Sequence, residues 1–355
     1  MRSRAVCPGM RPIMVLAAPM STPRVSILMP VHNRAHLLDR VLGALADTTN
    51  YPEVELLAVD DRSTDGSLDL LRRWETSGRL PAMWVLESPG AGAVVALNTA
   101  LDAASGEFCV QLDDDVKVET PGWIERMLEL MRIDVAVGVV TGKVVLDSGE
   151  IQACGVDVVG PAGWRERRGP PGGDVERRVA EVDSGIGCFM MYRRSDALEA
   201  GGYDPEWSPV WLDDVDLCMG IRALGRKSFY LPDVVALHYM DTRRPQSPGL
   251  ARLRPRQLAR AVGRRLPRRV RQLIDSRAGL HMLAYYTGEQ AERLRHHYAY
   301  WREKWGWDPR NPDMAEIQRR WGGTEICWAM DPERRAAGER VIAAFEASRA
   351  AVSGA

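Results

Sequence analysis

Strand and helix patterns alternate from Val25 to Met131, and acidic residues close two of the strands. Val25–Val31 is an apolar, β-branched run, after which Leu37, Leu38, Val41, Leu42 and Leu45 recur at helical spacing. Residues 54–59 are again strand-like and stop at Asp60-Asp61. Ser63 and Thr64 are placed to cap a helix carrying Leu68, Leu71 and Trp74. The theme repeats with strands at 83–86 and Phe108–Leu112 and with a helix through Val94, Leu97 and Leu101. Another helix, opened by Thr120-Pro121, buries Ile124, Met127, Leu128 and Met131. Such alternation predicts an α/β fold, with right-handed crossovers and a mostly parallel sheet flanked by helices. Ligands of these sheets sit beyond the carboxyl ends of the strands.

The second half reads differently. Strand-like pieces at 135–140, 143–146, 155–159 and 189–192 surround a Gly-, Pro- and Arg-rich loop at 161–174, which predicts a mixed sheet with a flexible loop near the ligand. From Arg243 to Arg277 there are twelve Arg, one Asp and no Lys or Glu, a formal +11. The whole chain carries −1, which leaves −12 on the rest and excludes a general polyanion binder. An aromatic, helix-rich tail follows from His281. Hydrophobic residues at 45% and charged residues at 27% exclude wholesale disorder. The six Cys are scattered without a C-x-x-C pair, which predicts a reduced, cytoplasmic setting. No apolar run reaches the length of a membrane span. Arg2, Arg4 and Arg11 precede a short, Pro-interrupted apolar stretch at 12–18. We read residues 1–22 as a disordered leader, with Met20 as an alternative start, in preference to an export signal.

Asp113-Asp114-Asp115 directly follows a strand. Three adjacent carboxylates repel one another unless a cation, caps or water offset them. Mg²⁺ and Mn²⁺ take one or two protein carboxylates and complete their shell with phosphate oxygens and water, so the triplet fits a metal–diphosphate site. The bland alternative is a solvated turn. Asp60-Asp61 at the second strand end can accept base N–H or ribose hydroxyl groups, or can simply form an Asx turn. There is neither a G-x-x-x-x-G-K-[ST] loop nor a G-x-G-x-x-G after the first strand, so P-loop and dinucleotide folds have no support.

Six blocks occur in order: RVSILMPVHNR (24–34), VELLAVDDRSTDGS (54–67), ALDAASGEFCVQLDDD (100–115), GIGCFMMYRRSDALEAGGYDP (185–205), WLDDVDLCMGIRALG (211–225) and ALHYMD (236–241). Together they resemble the inverting, family-2-type glycosyltransferases of GT-A fold, in the nucleotide-diphospho-sugar transferase superfamily. The resemblance implies a GT-A domain over 23–242, followed by a basic and then aromatic, mostly helical extension over 243–355. It implies metal-dependent, inverting transfer from a nucleoside-diphosphate sugar, UDP- or dTDP-linked by preference, to an acceptor hydroxyl on a saccharide, a lipid-linked glycan or a small molecule. Pro30 and His32 would line the nucleotide pocket, Asp61 would receive the base N–H, and Asp113 would hold the ribose, with Asp114 among the nucleotide-binding residues. Asp115 and His238 would hold Mn²⁺ or Mg²⁺, and Asp214 would be the general base. Asp213 stands where the family usually has Glu and is counted with the substrate-binding residues. Leu97 stands where many members have Arg. The competing reading of Asp213, Asp214 and Asp216 is that they favour a helix N-terminus.

Two rival functions compete with this reading. A sugar nucleotidyltransferase would want a Gly-rich loop after the first strand, and residues 30–36 lack glycine. A non-catalytic sugar-nucleotide or glycan-binding module would not need Asp115, Asp214 and His238 together. The Arg-rich stretch is basic and amphipathic, with Pro255 and Pro267 interrupting it. It fits packing on the acidic body or in a homodimer first, and peripheral contact with the inner membrane face second. Nucleic acid is disfavoured because aromatics do not interleave with the arginines. In the tail, Tyr298, Trp301 and Trp305 follow helical spacing, which predicts the core of a helical extension.

Overall fold

The computed structural model describes residues 22–80, 82–158, 165–167, 173–239, 289–310, 315 and 332–353. The leader up to residue 21, most of the loop at 161–174, the Arg-rich 243–277 stretch and the start of the aromatic tail at 281–288 lie outside the described residues.

The strands are β1 (Val25–Val31), β2 (Val54–Asp60), β3 (Met83–Glu87), β4 (Phe108–Leu112), β5 (Val116–Val118), β6 (Val137–Leu146), β7 (Ile151–Ala153), β8 (Val156–Asp157), β9 (Arg165–Glu166), β10 (Ala180–Val182), β11 (Phe189–Arg193) and β12 (Lys227–His238). The helices are α1 (Ala35–Thr48), α2 (Ser67–Ser77), α3 (Ala93–Ala103), α4 (Trp123–Met131), α5 (Asp174–Arg177), α6 (Arg194–Glu199), α7 (Asp213–Ala223), α8 (Glu289–Trp305) and α9 (Pro332–Ser353). The main sheet runs β10-β12-β6-β11-β4-β1-β2-β3, with β5 and β7 attached to β12 and β6. Strands β4, β1, β2 and β3 are mutually parallel, whereas β11 runs antiparallel between β4 and β6.

Both faces of the parallel half are covered, which is why β1 and β2 are buried along their whole length and read as continuous apolar runs rather than alternating ones. Helix α3 packs on β1 and β2, α1 against β5 and α2, and α4 on β6 and β12. Trp301, Trp305, Trp307 and Tyr298 are buried in the same hydrophobic core, in keeping with the helical spacing of the tail. No helix among the described residues is long and apolar enough to cross a membrane.

Four local expectations are corrected. The pieces at 135–140 and 143–146 are one strand, β6. Gly142 is no break: a Cβ there would lie 2.7 Å from Phe189 and from the Val234 carbonyl, so glycine permits close packing in mid-strand. The strand at 155–159 shrinks to the two residues of β8. Ser63 and Thr64 do not cap α2, which starts at Ser67 after Gly66 with φ 89°. Helix α4 starts at Trp123 after Gly122 with φ 67°, later than Thr120-Pro121.

Candidate active site

Strand direction assembles the site. The carboxyl ends of β1, β2 and β4 lie along one edge of the sheet, with Val31 paired to Asp60 and Leu28 to Gln111. Because β11 is antiparallel, its beginning reaches the same edge, where Phe189 pairs with Leu112. The end of β12 arrives there too, pairing His238 with Val116. Residues more than a hundred positions apart therefore meet at one edge of the sheet.

The acidic triplet is held from two sides, by the β1–α1 connection and by the end of β12. Arg34, one residue before α1, donates from Nε to Asp114 Oδ1 and from a terminal nitrogen to Asp115 Oδ2, each at 3.0 Å. The His32 backbone N–H donates to Asp114 Oδ2 at 3.0 Å. His238 Nε2 lies 3.1 Å from Asp115 Oδ1, and its Nδ1 lies 2.7 Å from Gln152 Oε1. Burial and the Asp115 charge push Asp113 up to about 6 and Asp114 well above the usual carboxylate range. Burial opposes ionisation of Asp115 as well, yet the His238 hydrogen bond and the charges of His238 and Arg34 hold it below that range. Burial likewise opposes a charged His238, and the bond to Asp115 prevails and raises its pKa.

Asp61 is buried, and each of its carboxylate oxygens already accepts one hydrogen bond. It accepts the Ser88 hydroxyl on one oxygen and the Gly92 N–H at 2.8 Å on the other. Its backbone N–H donates to Val31 at 2.8 Å, and its carbonyl lies 2.8 Å from His32 Nδ1. Asp60 forms the turn instead, accepting the Ser63 N–H at 3.0 Å. Ser63 Oγ accepts the Asn33 N–H at 3.0 Å, and the Thr64 N–H donates to Asn33 Oδ1 at 2.7 Å. These two residues therefore tie the β2 end to the β1 end. Pro30 is buried within β1, whereas His32 beyond it is exposed.

The first turn of α7 joins the same edge through the 187–188 segment. Asp214 Oδ2 accepts the Gly187 N–H at 2.7 Å, and Oδ1 accepts the Val215 N–H at 2.8 Å. The neighbouring Cys188 carbonyl accepts the Asp113 N–H at 3.2 Å, so one short segment links Asp214 to the triplet. Asp213 is buried and accepts the Trp211 N–H at 2.9 Å. Burial, reinforced by Asp214, pushes it up to about 7. Burial raises Asp214 also, against the pull of its two N–H donors. Asp216 does not join this group; its carboxylate is bound by α8.

All nine residues singled out in the sequence, from Pro30 to His238, thus gather at this edge. Sequence reasoning missed Gln152, Ser88, Gly92 and Gly187, which orient His238, Asp61 and Asp214. Only the pairing of distant segments shows these contacts. It also passed over Arg34, although that residue stands inside the first quoted block. Leu97 is buried in the core and offers no polar group to a ligand.

Residues 26–199 match the model of the Glycosyl transferase family 2. That stretch, just under half of the chain, is similar to the family-2 glycosyltransferases. The chain is 29% identical over 233 residues to the O-antigen biosynthesis protein RfbC of Myxococcus xanthus, a match covering 63% of this chain and 18% of that protein. It is 34% identical over 127 residues to validoxylamine A glucosyltransferase of Streptomyces hygroscopicus subsp. limoneus, covering 34% of this chain and 28% of that enzyme. The chain therefore spans well under a third of either relative. Among solved structures, the mannosyltransferase PcManGT of Pyrobaculum calidifontis, in complex with GDP-Man and Mn²⁺, aligns over 95% of this chain and 90% of its own, with TM-score 0.50 and 22% identity. GalNAc-T7 with UDP, GalNAc and Mn²⁺ aligns over 62% of this chain and 44% of its own, with TM-score 0.51 and 16% identity. These likenesses establish the GT-A fold of the chain.

Among the described residues, no group of three or more His, Cys, Asp or Glu is arranged to hold a metal ion. Asp115 and His238 are two. Their facing oxygen and nitrogen, with Gln152 at the other ring nitrogen, form a donor pair compatible with a divalent ion that takes the rest of its shell from phosphate and water.

Proposed function

We propose that this chain transfers a sugar from a nucleoside-diphosphate sugar to an acceptor hydroxyl, with inversion at the anomeric carbon and with Mn²⁺ or Mg²⁺ as cofactor. The observation that carries this reading is the 187–188 segment, whose N–H holds Asp214 while the adjacent carbonyl holds the backbone of Asp113. It sets a carboxylate able to accept a proton beside the acidic triplet.

In this reading Asp61 accepts the imide N–H of uracil or thymine through lone pairs left by Ser88 and Gly92, and guanine also fits. Pro30, His32 and Asp114 line the nucleotide pocket, and Asp113 takes the ribose hydroxyls. Asp115 and His238 hold the divalent ion, which supplies positive charge to the leaving diphosphate. Asp214 takes the acceptor proton as the acceptor oxygen bonds to the anomeric carbon. The bond to the diphosphate breaks, and its electron pair leaves with the phosphate oxygen. Such proton transfer is typically worth about 10²–10⁴-fold. Asp213 stays beside Asp214, whose charge reinforces burial in raising the proton affinity of Asp213. The acceptor class is a saccharide or a small natural product, in line with the relatives named above.

The test is release of nucleoside diphosphate by the full chain from a panel of UDP-, dTDP- and GDP-sugars with Mn²⁺, with EDTA, and with Mn²⁺ restored. Release that EDTA abolishes and Mn²⁺ restores supports the reading. Binding without turnover, with saccharide acceptors supplied, points to a binding module instead.

A further inference from the structure

Asp216 follows Asp213 and Asp214 on the first turn of α7, yet both its oxygens are bound by α8. Oδ1 accepts the Trp305 indole N–H at 2.7 Å and Oδ2 accepts Lys304 Nζ at 2.7 Å. The same ammonium donates to Asp204 Oδ2 at 2.5 Å, and the Tyr300 hydroxyl donates to that oxygen at 2.6 Å. One cation from α8 therefore bridges two carboxylates on separate segments of the GT-A domain.

Each carboxylate leads to a different side of the cleft. Asp204 caps the short turn Pro205–Trp207 by accepting the Glu206 N–H at 3.1 Å, and Trp207 is buried against His297, Tyr300 and Trp301. The chain then reaches the donor side. Ser208 Oγ donates to Ala91 at 3.1 Å, Pro209 accepts the Val94 N–H at 3.3 Å, and Gly92 packs on Pro209 so closely that a Cβ would lie 2.3 Å from its Cα. Gly92 is the residue that donates to Asp61. On the other side, the Asp216 N–H donates to Leu212 at 2.8 Å, closing the turn that bears Asp213 and Asp214. Between the two arms, Trp211 and Leu212 have φ of 123° and 65°. Bulky residues hold such backbone only where their surroundings over-determine it.

We propose that Lys304 is a positioning residue for the transfer reaction, holding the Asp61–Gly92 donor side and the Asp214 turn in one register so that donor and base meet. The proposal rests on the reading of Asp214 as the general base. It assigns α8 a part in turnover, although this helix contributes no residue to the site contacts described above.

The test compares Lys304→Met, Lys304→Arg and Asp214→Asn in the full chain. It measures kcat for nucleoside-diphosphate release from the best donor of the panel, donor Kd by calorimetry, and Tm. Misplacement of about 1 Å at a reacting group costs up to about 100-fold, so Lys304→Met should lose about 10–100-fold in kcat. Donor Kd should change less than about threefold, because the bonds to Asp61 remain. Lys304→Arg should recover most of kcat, since a guanidinium can bridge both carboxylates. Wild-type kcat in Lys304→Met, or a loss that Arg does not recover, overturns the proposal. Should Lys304→Met not fold, Trp305→Phe, which removes only one bond to Asp216, carries the test: lowered kcat at unchanged donor Kd supports it and wild-type kcat overturns it. A normal Asp214→Asn enzyme defeats the base reading and this proposal with it. A dead Asp214→Asn beside a normal Lys304→Met defeats this proposal alone.

Discussion

Asp213 and Asp214 are adjacent in sequence but held differently, and the difference has consequences that can be measured. Asp213 is buried with one N–H donor, and its pKa rises from 3.8 to about 7. A carboxyl raised in the folded state contributes stability that is complete below its unfolded value and is lost as pH rises through the folded value. Asp213→Asn keeps an acceptor for the Trp211 N–H and cannot ionise. Its Tm relative to wild type should therefore increase from pH 5 to pH 8, by roughly 2–4 °C for each kcal/mol of relief. A difference that stays flat across that range contradicts the assignment. At the other end of the cleft, Asp115→Ala should abolish calorimetric Mn²⁺ binding while the thermal transition survives, because His238 alone is a weak site. Retained Mn²⁺ binding there removes Asp115 from the metal pair. Asp115 was legible in the sequence as part of an acidic triplet after a strand, and Asp213 and Asp214 through the resemblance of their block to the family. Their orienting partners were not: Gln152 lies 86 positions from His238, and no local pattern joins them.

Among the elements, the loop before α3 is where fold and binding meet most closely. Gly92 has φ 101°, donates to Asp61, and leaves no space for a side chain against Pro209. Gly92→Ala would add backbone strain of about 1–3 kcal/mol and push the loop from Pro209. We expect donor Kd to weaken by about tenfold, equal to some 1.4 kcal/mol, measured by calorimetry. Unchanged affinity means the loop does not shape the donor pocket. Periodicity revealed the strands and helices of the first half because each buries a face. Punctuation residues misled where their purpose was tertiary. Ser63 and Thr64 resemble caps, yet they bind Asn33 across the β1–β2 edge, and Gly142 resembles a break, yet it admits Phe189.

On the scale of the whole molecule, strand order decides what the cleft contains. The antiparallel β11 brings Gly187 and Cys188 to the edge where β4 delivers Asp113, and β12 delivers His238 beside Asp115. The sequence announced a parallel sheet with a mixed second half, but the spatial order of strands depends on crossovers that no local pattern encodes. The link from α8 through Lys304 was hidden for the same reason, since it spans 88 positions to Asp216 and 100 to Asp204. The central claim is that Asp214 takes the acceptor proton in a transfer from a nucleoside-diphosphate sugar. The measurement that tests it most directly is kcat for the Asp214→Asn chain with Mn²⁺ and the best donor, set beside donor Kd for the same variant. The account predicts donor Kd within about threefold of wild type and kcat lower by about 10²–10⁴-fold. Wild-type turnover by Asp214→Asn, with Asp213→Asn inactive, would contradict it and move the base one residue earlier.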